Sequence, residues 1–308
     1  TLPIKWPSSI VYGEGSIWVA AWVEETDGNL LYRIAPDTGA ILAEIPVPSI
    51  PGWETGGGGM VAADGSVWIA GLTQREDEAA LLRVEAATNE LADVIPLGGD
   101  FAGDVALDEH GIWVTVFAEP SVELLRLDPS TLAVESRTAL GTDWAREILA
   151  IDGTIWVRVL DEDDEVTGDP RRLLFRIDPK TGQIVDRVHV PGAVTNVTAG
   201  GGTIWVTASR SSGNLIARVD PTTGDVSTTP SGELDYFPEF GEGGLWARGL
   251  DRSTGRLLVV RYNQVSGRVD ARAVLPERLD PIDLAVAPGS VWVASYEEGV
   301  TRVELRPA

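Results

Sequence analysis

The stretch GTIWV stands at residues 153–157 and recurs unchanged at 202–206. Variants occur as GSIWV at 15–19, GSVWI at 65–69, GIWV at 111–114, GGLWA at 243–247 and GSVWV at 289–293. Their tryptophans, Trp18, Trp68, Trp113, Trp156, Trp205, Trp246 and Trp292, are spaced by 50, 45, 43, 49, 41 and 46 residues. A period in the forties marks a solenoid or a propeller, and the pattern inside one period decides which. A short apolar run such as DVALD (104–108) precedes each tryptophan word, which is itself β-branched. After a variable loop come a third run, a turn and a fourth run, as in LLFRIDPKTGQIVDRVHVPG at 173–192. These runs alternate or are wholly apolar, as strands with buried faces do, and amphipathic helical spacing is absent. Four strands per period, seven times over, predict an all-β, seven-bladed β-propeller.

The turns agree with the strands. IAPDTG (34–39), IDPKTG (177–182) and VDPTTG (219–224) each end a strand with Pro-x-Thr-Gly. Proline presets the turn and glycine supplies the left-handed residue before the next strand. An arginine precedes the apolar residue before this turn in every repeat: Arg33, Arg83, Arg126, Arg176, Arg218, Arg261 and Arg302. A residue repeated seven times is structural. Each arginine is expected to lie along its blade and pair with a local carboxylate or carbonyl, and each repeated tryptophan to fill the wedge between blades. The last repeat has only three strands, while LPIKWP (2–7) resembles fourth strands such as ILAEIPVP (41–48). The N-terminal strand is therefore expected to complete the last blade, which removes the open edges and makes residues 1–308 one domain.

Composition narrows the partners. The 24 basic and 47 acidic residues give a net charge of −23, the wrong sign for a nucleic acid or an anionic membrane surface. No apolar run approaches the roughly 20 residues of a membrane span, so no membrane insertion is expected. Without cysteine there is no disulfide, thiolate nucleophile or thiolate metal site. TLPIKWPSS lacks the basic start and apolar middle of a secretory leader. The absence of an initiator methionine suggests a processed chain or a module of a longer protein. An extracytoplasmic or secreted monomer is expected, with the cytoplasm left open.

The words G-x-(I/V/L)-W-V and R-(I/V)-D-P-x-T-G make the whole chain resemble the seven-bladed propellers related to virginiamycin B lyase and the YncE-type proteins. The resemblance implies the fold. In the lyases it also implies histidines and a glutamate acting with Mg²⁺, the glutamate three residues after the ring in W-F-x-E. Here those positions hold Ala21, Gly71, Val116, Val159, Ala208, Gly249 and Ser295. The two histidines do not match either: His110 falls in a first-to-second-strand turn on the opposite face, and His189 in an outermost strand.

On a repeat scaffold, specificity lies where repeats differ. Trp6, Trp22, Trp53 and Trp144 stand outside the repeat, near the face that carries the inter-blade loops, with Phe101, Tyr236 and Phe237. They form either a binding surface or a packed cap. Nine residues before each tryptophan, at the channel mouth, stand Ser9, Gly59, Asp104, Glu147, Asn196, Phe237 and Asp283. Asp104, Glu147, Asn196 and Asp283 offer oxygen ligands for Ca²⁺ or Mg²⁺. Two residues after the tryptophan, where small residues are the rule, Arg158 and Arg248 intrude. They are expected to neutralise Glu147 and Glu239, or else to offer a fork to an anionic ligand. The acidic stretch DEDDEVTGD (161–169) lacks the glycine placement of an EF-hand and reads as a solvated loop, and GGGG (56–59) lacks the context of a phosphate loop.

The leading expectation is a non-catalytic sensor or scaffold propeller. It would bind a small molecule or a protein on the inter-blade-loop face through Trp53, Phe101, Trp144, Arg158, Tyr236 and Arg248. The alternative is a metal-dependent lyase or hydrolase using the channel-mouth carboxylates; a structural module of a longer protein is a third reading. With the lyase residues unmatched, the purified protein should not open a streptogramin ring in the presence of Mg²⁺. His110→Ala and His189→Ala should leave whatever function the protein has intact. Mg²⁺-dependent ring opening, followed by chromatography, would overturn this.

Overall fold

The computed structural model describes residues 1–304 apart from 24–27, 49–58, 74–77, 143, 164–169, 211–212, 232–236, 252, 267 and 278, with the backbone alone at 73, 160–163, 170–172 and 304. Seven antiparallel sheets follow one another along the chain. Blade 1 comprises β1 (Pro7–Gly13), β2 (Ser16–Val23), β3 (Gly28–Ile34) and β4 (Ile41–Val47), paired in that order. Blades 2 to 6 repeat the plan over 60–96, 101–139, 144–189, 193–230 and 239–274. Blade 7 has three strands, β25 (Asp283–Ala287), β26 (Ser290–Ser295) and β27 (Gly299–Glu304). The seven-bladed β-propeller read from the sequence is the architecture observed.

The register explains why tryptophan and arginine repeat together. Trp18 faces Arg33 across the β2–β3 ladder, and the other six tryptophans each face their blade's arginine in the same way. Directly opposed residues are the contact unit of a sheet. In six blades the guanidinium lies over its indole, at 4.7 Å for Arg218 and Trp205 and 5.0 Å for Arg33 and Trp18. The indoles are buried, and each packs into the next blade. Trp18 lies with Met60, Val67, Ile69 and Leu82 of blade 2, Trp113 with Ile148 and Val157 of blade 4, and Trp292 with Ile10, Ile17 and Val19 of blade 1. The core is thus a set of seams between sheets, each holding one ring from the blade before it.

The arginines also reach further than expected. Arg33 donates to Ala86 O, Arg126 to Pro179 O, Arg176 to Thr222 O and Arg302 to Asp37 O, each in the outer turn of the following blade. Arg83 and Arg261 instead pair with Asp93 and Asp270 of their own blades. Arg218 lies between Trp205 and Tyr262 of the next blade. The Pro-x-Thr-Gly turns have the expected form: Gly39, Gly182 and Gly224 sit at φ 72°, 70° and 78°.

The N-terminal strand expected to complete blade 7 is reduced to a single bridge. Leu2 N donates to Val300 O at 2.7 Å and Val300 N to Leu2 O at 3.1 Å. Ile4 is buried beside Trp292 and Val300. The first few residues thus supply an anchor rather than a full strand. Gly299 makes the approach possible: at φ 80°, a Cβ there would stand 2.3 Å from Leu2 O. Gly299→Ala should therefore lower stability by at least the ~1–2 kcal/mol that an L-residue loses in left-handed backbone. Deleting residues 1–4 should do so too, by opening a strand edge. Unchanged urea midpoints in both variants would show that the anchor does not hold the ring.

Candidate functional site

The first strands of all seven blades surround a central channel that holds a cavity of about 320 Å³, lined from Ser9, Asp104, Glu147, Asn196 and Asp283 along to Leu107, Ala150 and Ala199. Its rim is held by polar side chains that tie each blade to its neighbours. Asp104, on β9 (Phe101–Asp108), accepts from Gly59 N of blade 2 at 2.6 Å and from Ile148 N of blade 4 at 2.7 Å. Asp283 accepts from Ile10 N at 3.0 Å and Ser9 Oγ at 3.3 Å across the closure seam, and from Leu284 N at 2.9 Å. Glu147 is bound by the guanidinium of Arg158, which is buried to 5% exposure, through Nε and through Nη2 at 3.0 Å. Asn196 links Glu147 Oε1 to Phe237 N, at 3.4 and 3.5 Å.

This belt accounts for the four residues expected to hold Ca²⁺ or Mg²⁺. Asp104, Glu147, Asn196 and Asp283 do ring the channel, but each already accepts hydrogen bonds from backbone amides, Ser9, Asn196 or Arg158. Among the described residues no three acidic or histidine side chains are grouped to hold a metal ion. The expected Arg158–Glu147 pair is present. The expected Arg248–Glu239 pair is not: Arg248 pairs with Asp280 at 3.0 Å and lies over the ring of Phe237. Its position, on β22 (Gly244–Asp251), carries it toward the blade 6–7 connection rather than across the channel.

The described aromatic residues of this set have different partners. Trp144 covers the guanidinium of Arg158 at 4.6 Å, one ion pair away from the cavity, and Arg146 lies against the same ring. Phe101 stacks on Phe117 at 3.9 Å and serves packing. Trp6 is 46% exposed and tilts against Tyr296 at the closure seam. Trp53 and Tyr236, the glycines 56–58 and residues 164–169 of the acidic loop lie outside the described residues. His110 is held by Asp108 in its turn on the opposite face, and His189 is exposed on an outer strand. Trp6 and Phe237 carry φ of 52° and 55° although each precedes a proline. Such backbone costs about 1–3 kcal/mol and clusters at functional sites.

Sequence reasoning passed over Glu239 as a site residue in its own right. The residues seven before the other tryptophans are Val11, Val61, Ala106, Leu149, Thr198 and Ala285, so a carboxylate there is peculiar to blade 6. That comparison was open to the sequence; the absence of a partner was not. Glu239 lines the cavity without a hydrogen bond or ion pair among the described residues, and burial, with the charge of Asp283 beside it, pushes its carboxyl up to about 8. Burial likewise outweighs the amide hydrogen bonds at Asp283, raised to about 7, and at Asp104, raised to about 6. Glu239 and Asp283 keep part of their surface open to the channel, whose water softens the effect.

No protein-family model matches the chain, and no curated protein does. Solved structures similar to it include a hydrazine synthase of Kuenenia stuttgartiensis, at 13% identity over 100% of this chain and 98% of that one, with a TM-score of 0.69. The β-propeller domain of the Trilobed protease from Pyrococcus furiosus, described as an open velcro topology, is similar at 8% identity over 99% and 94%, with a TM-score of 0.69. BamB from Moraxella catarrhalis is similar at 14% identity over 97% and 85%, with a TM-score of 0.54. At such identities the likeness shows the fold alone.

The raised carboxyls make a pH prediction with a definite sign. Folded Asp104, Asp283 and Glu239 bind protons more tightly than the unfolded chain, so stability falls as pH rises from about 4, where the unfolded groups titrate, to about 8. Stability should peak in mild acid, since Asp128, Asp178, Asp220, Asp251 and Asp270 are shifted down and oppose the trend only at lower pH. The thermal midpoint should therefore drop between pH 5 and pH 8.5, and drop less in Glu239→Gln. A midpoint that rises over this range would overturn the assignment.

Proposed function

We propose that the protein is a binding propeller, a sensor or scaffold that takes its ligand at the channel mouth on the inter-blade face. One observation carries this. The cavity of about 320 Å³ in the channel is lined, toward the end where the repeats differ, by residues the scaffold does not need: Phe237 and Glu239, with Trp144 one ion pair away. The opposite face is built from turns that repeat from blade to blade and are tied together by the arginines. Because Arg158 and Arg248 are each taken by a carboxylate, they contribute stacked, neutralised surface rather than an open anion fork. The resemblance to the virginiamycin B lyase-like and YncE-like propellers supports this reading through the scaffold alone. A lyase or hydrolase working through a divalent ion is the less supported reading, since the rim carboxylates other than Glu239 hold the blades together.

The test is to find a binder by screening and then compare Trp144→Ala and Arg248→Ala with the distant His189→Ala. The two face variants should weaken binding about tenfold each, the order of a well-made aromatic or cation–π contact. The control should not change it. Equal effects in all three would place the site elsewhere.

A further inference from the structure

We infer that the channel mouth recognises an organic cation, with the Glu239 carboxylate accepting hydrogen bonds from a ligand ammonium or guanidinium group. This rests on the inter-blade face being the binding face and specifies the chemistry of its ligand.

Three independent observations converge on it. The scaffold does not call for a carboxylate at this position, because the six equivalent residues are apolar or small. Glu239 nevertheless stands in the cavity wall on β21 (Glu239–Gly241). The other rim carboxylates each have donors, Asp104 and Asp283 from backbone amides and Glu147 from Arg158, while Glu239 has none among the described residues. Removing a carboxylate from bulk water without a donor is costly, and a cation supplies the missing partner. The surrounding field has the matching sign. Asp283 faces Glu239 from blade 7, and Asp104 and Glu147, the latter neutralised by Arg158, line the cavity from blades 3 and 4. Beside it, Arg248 is paired with Asp280.

The same accounting separates an organic cation from a metal ion. Ca²⁺ takes six to eight oxygens and Mg²⁺ near-ideal octahedral geometry. Among the described residues Glu239 is the rim carboxylate that accepts no hydrogen bond, and no grouping of three ligands exists among them. One carboxylate is enough for an ammonium, and its two oxygens match a guanidinium fork. The cavity has room for such a group on a short aliphatic stem.

Binding of this kind requires Glu239 to be ionised, whereas burial holds its carboxyl up to about 8 in the empty channel. Cation binding must therefore release a proton below that pH, and affinity should rise by up to about tenfold per pH unit from pH 6 to pH 8, then level off.

The experiment is calorimetric titration of the whole protein with n-butylammonium, n-butylguanidinium, n-butanol, butyrate, Mg²⁺ and Ca²⁺ at pH 6, 7 and 9. Repeats in buffers of different ionisation enthalpy count the protons released. A lysine- or arginine-containing tetrapeptide with blocked ends distinguishes a side chain of a protein partner from a free amine. The cations should bind with proton release, and butanol and butyrate at least about tenfold more weakly. Glu239→Gln should lose at least about tenfold in affinity along with the pH slope, while keeping its thermal midpoint at pH 7, because glutamine mimics the protonated acid. Equal binding of butanol and butylammonium, a pH-independent affinity, or an unaffected Glu239→Gln protein would overturn the inference. Tighter binding of Mg²⁺ or Ca²⁺ than of either organic cation would also overturn it. If the cations fail while a screened binder still depends on Trp144, only the ligand class is wrong. If that binder ignores Trp144 and Arg248, the face itself is wrong.

Discussion

Everything in this ring depends on an indole that leaves its own sheet to fill the seam with the next, beneath a guanidinium from the neighbouring strand. The pair does two jobs. Burying the ring supplies apolar stabilisation at each seam, where loss of an aromatic side chain to alanine costs about 3–5 kcal/mol. The arginine stem covers the ring, and in four blades its head binds the outer turn of the following blade. A sheet cannot bury both faces alone, so every blade needs the next, and the last needs the first. This is why closure at Leu2 and Val300 matters although it comprises two hydrogen bonds.

At the channel mouth the same need for blade-to-blade contact consumes polar chemistry that would look functional in isolation. Asp104 spans three blades, and Asp283 joins the seventh to the first. A carboxylate accepting two backbone amides has about half of its lone-pair sites taken and its orientation fixed by the blades it joins. Its burial, in turn, raises the energy of its charged form, so the belt that joins the blades is also the part of the ring most sensitive to alkali.

Blade 6 departs from this economy. Its first strand is cut to Glu239–Gly241, behind a left-handed Phe237 and a proline that cannot donate to a ladder. Its arginine pairs outward with Asp280 rather than inward. Irregular backbone, a strained aromatic and a carboxylate without a partner among the described residues thus fall together at one point of an otherwise repetitive rim. Local inconsistency of this kind is where function is expected on a well-determined scaffold.

The sequence by itself determined the number of blades, the strand order within each and the structural status of the repeated tryptophan and arginine, because these follow from local period and turn chemistry that recur seven times. It also marked Arg158 and Arg248 as exceptions. Partners that lie far apart along the chain were decided only by the tertiary structure. Arg158 meets Glu147, whereas Arg248 turns away from Glu239 to Asp280, and nothing in their identical repeat positions distinguishes them. Likewise LPIKWP reads as a strand, yet only its start bonds to β27, because the ring supplies an edge for a bridge at Val300 and a seam for Ile4. Strand propensity is written residue by residue; which donors meet which oxygens depends on how seven sheets tilt around one channel.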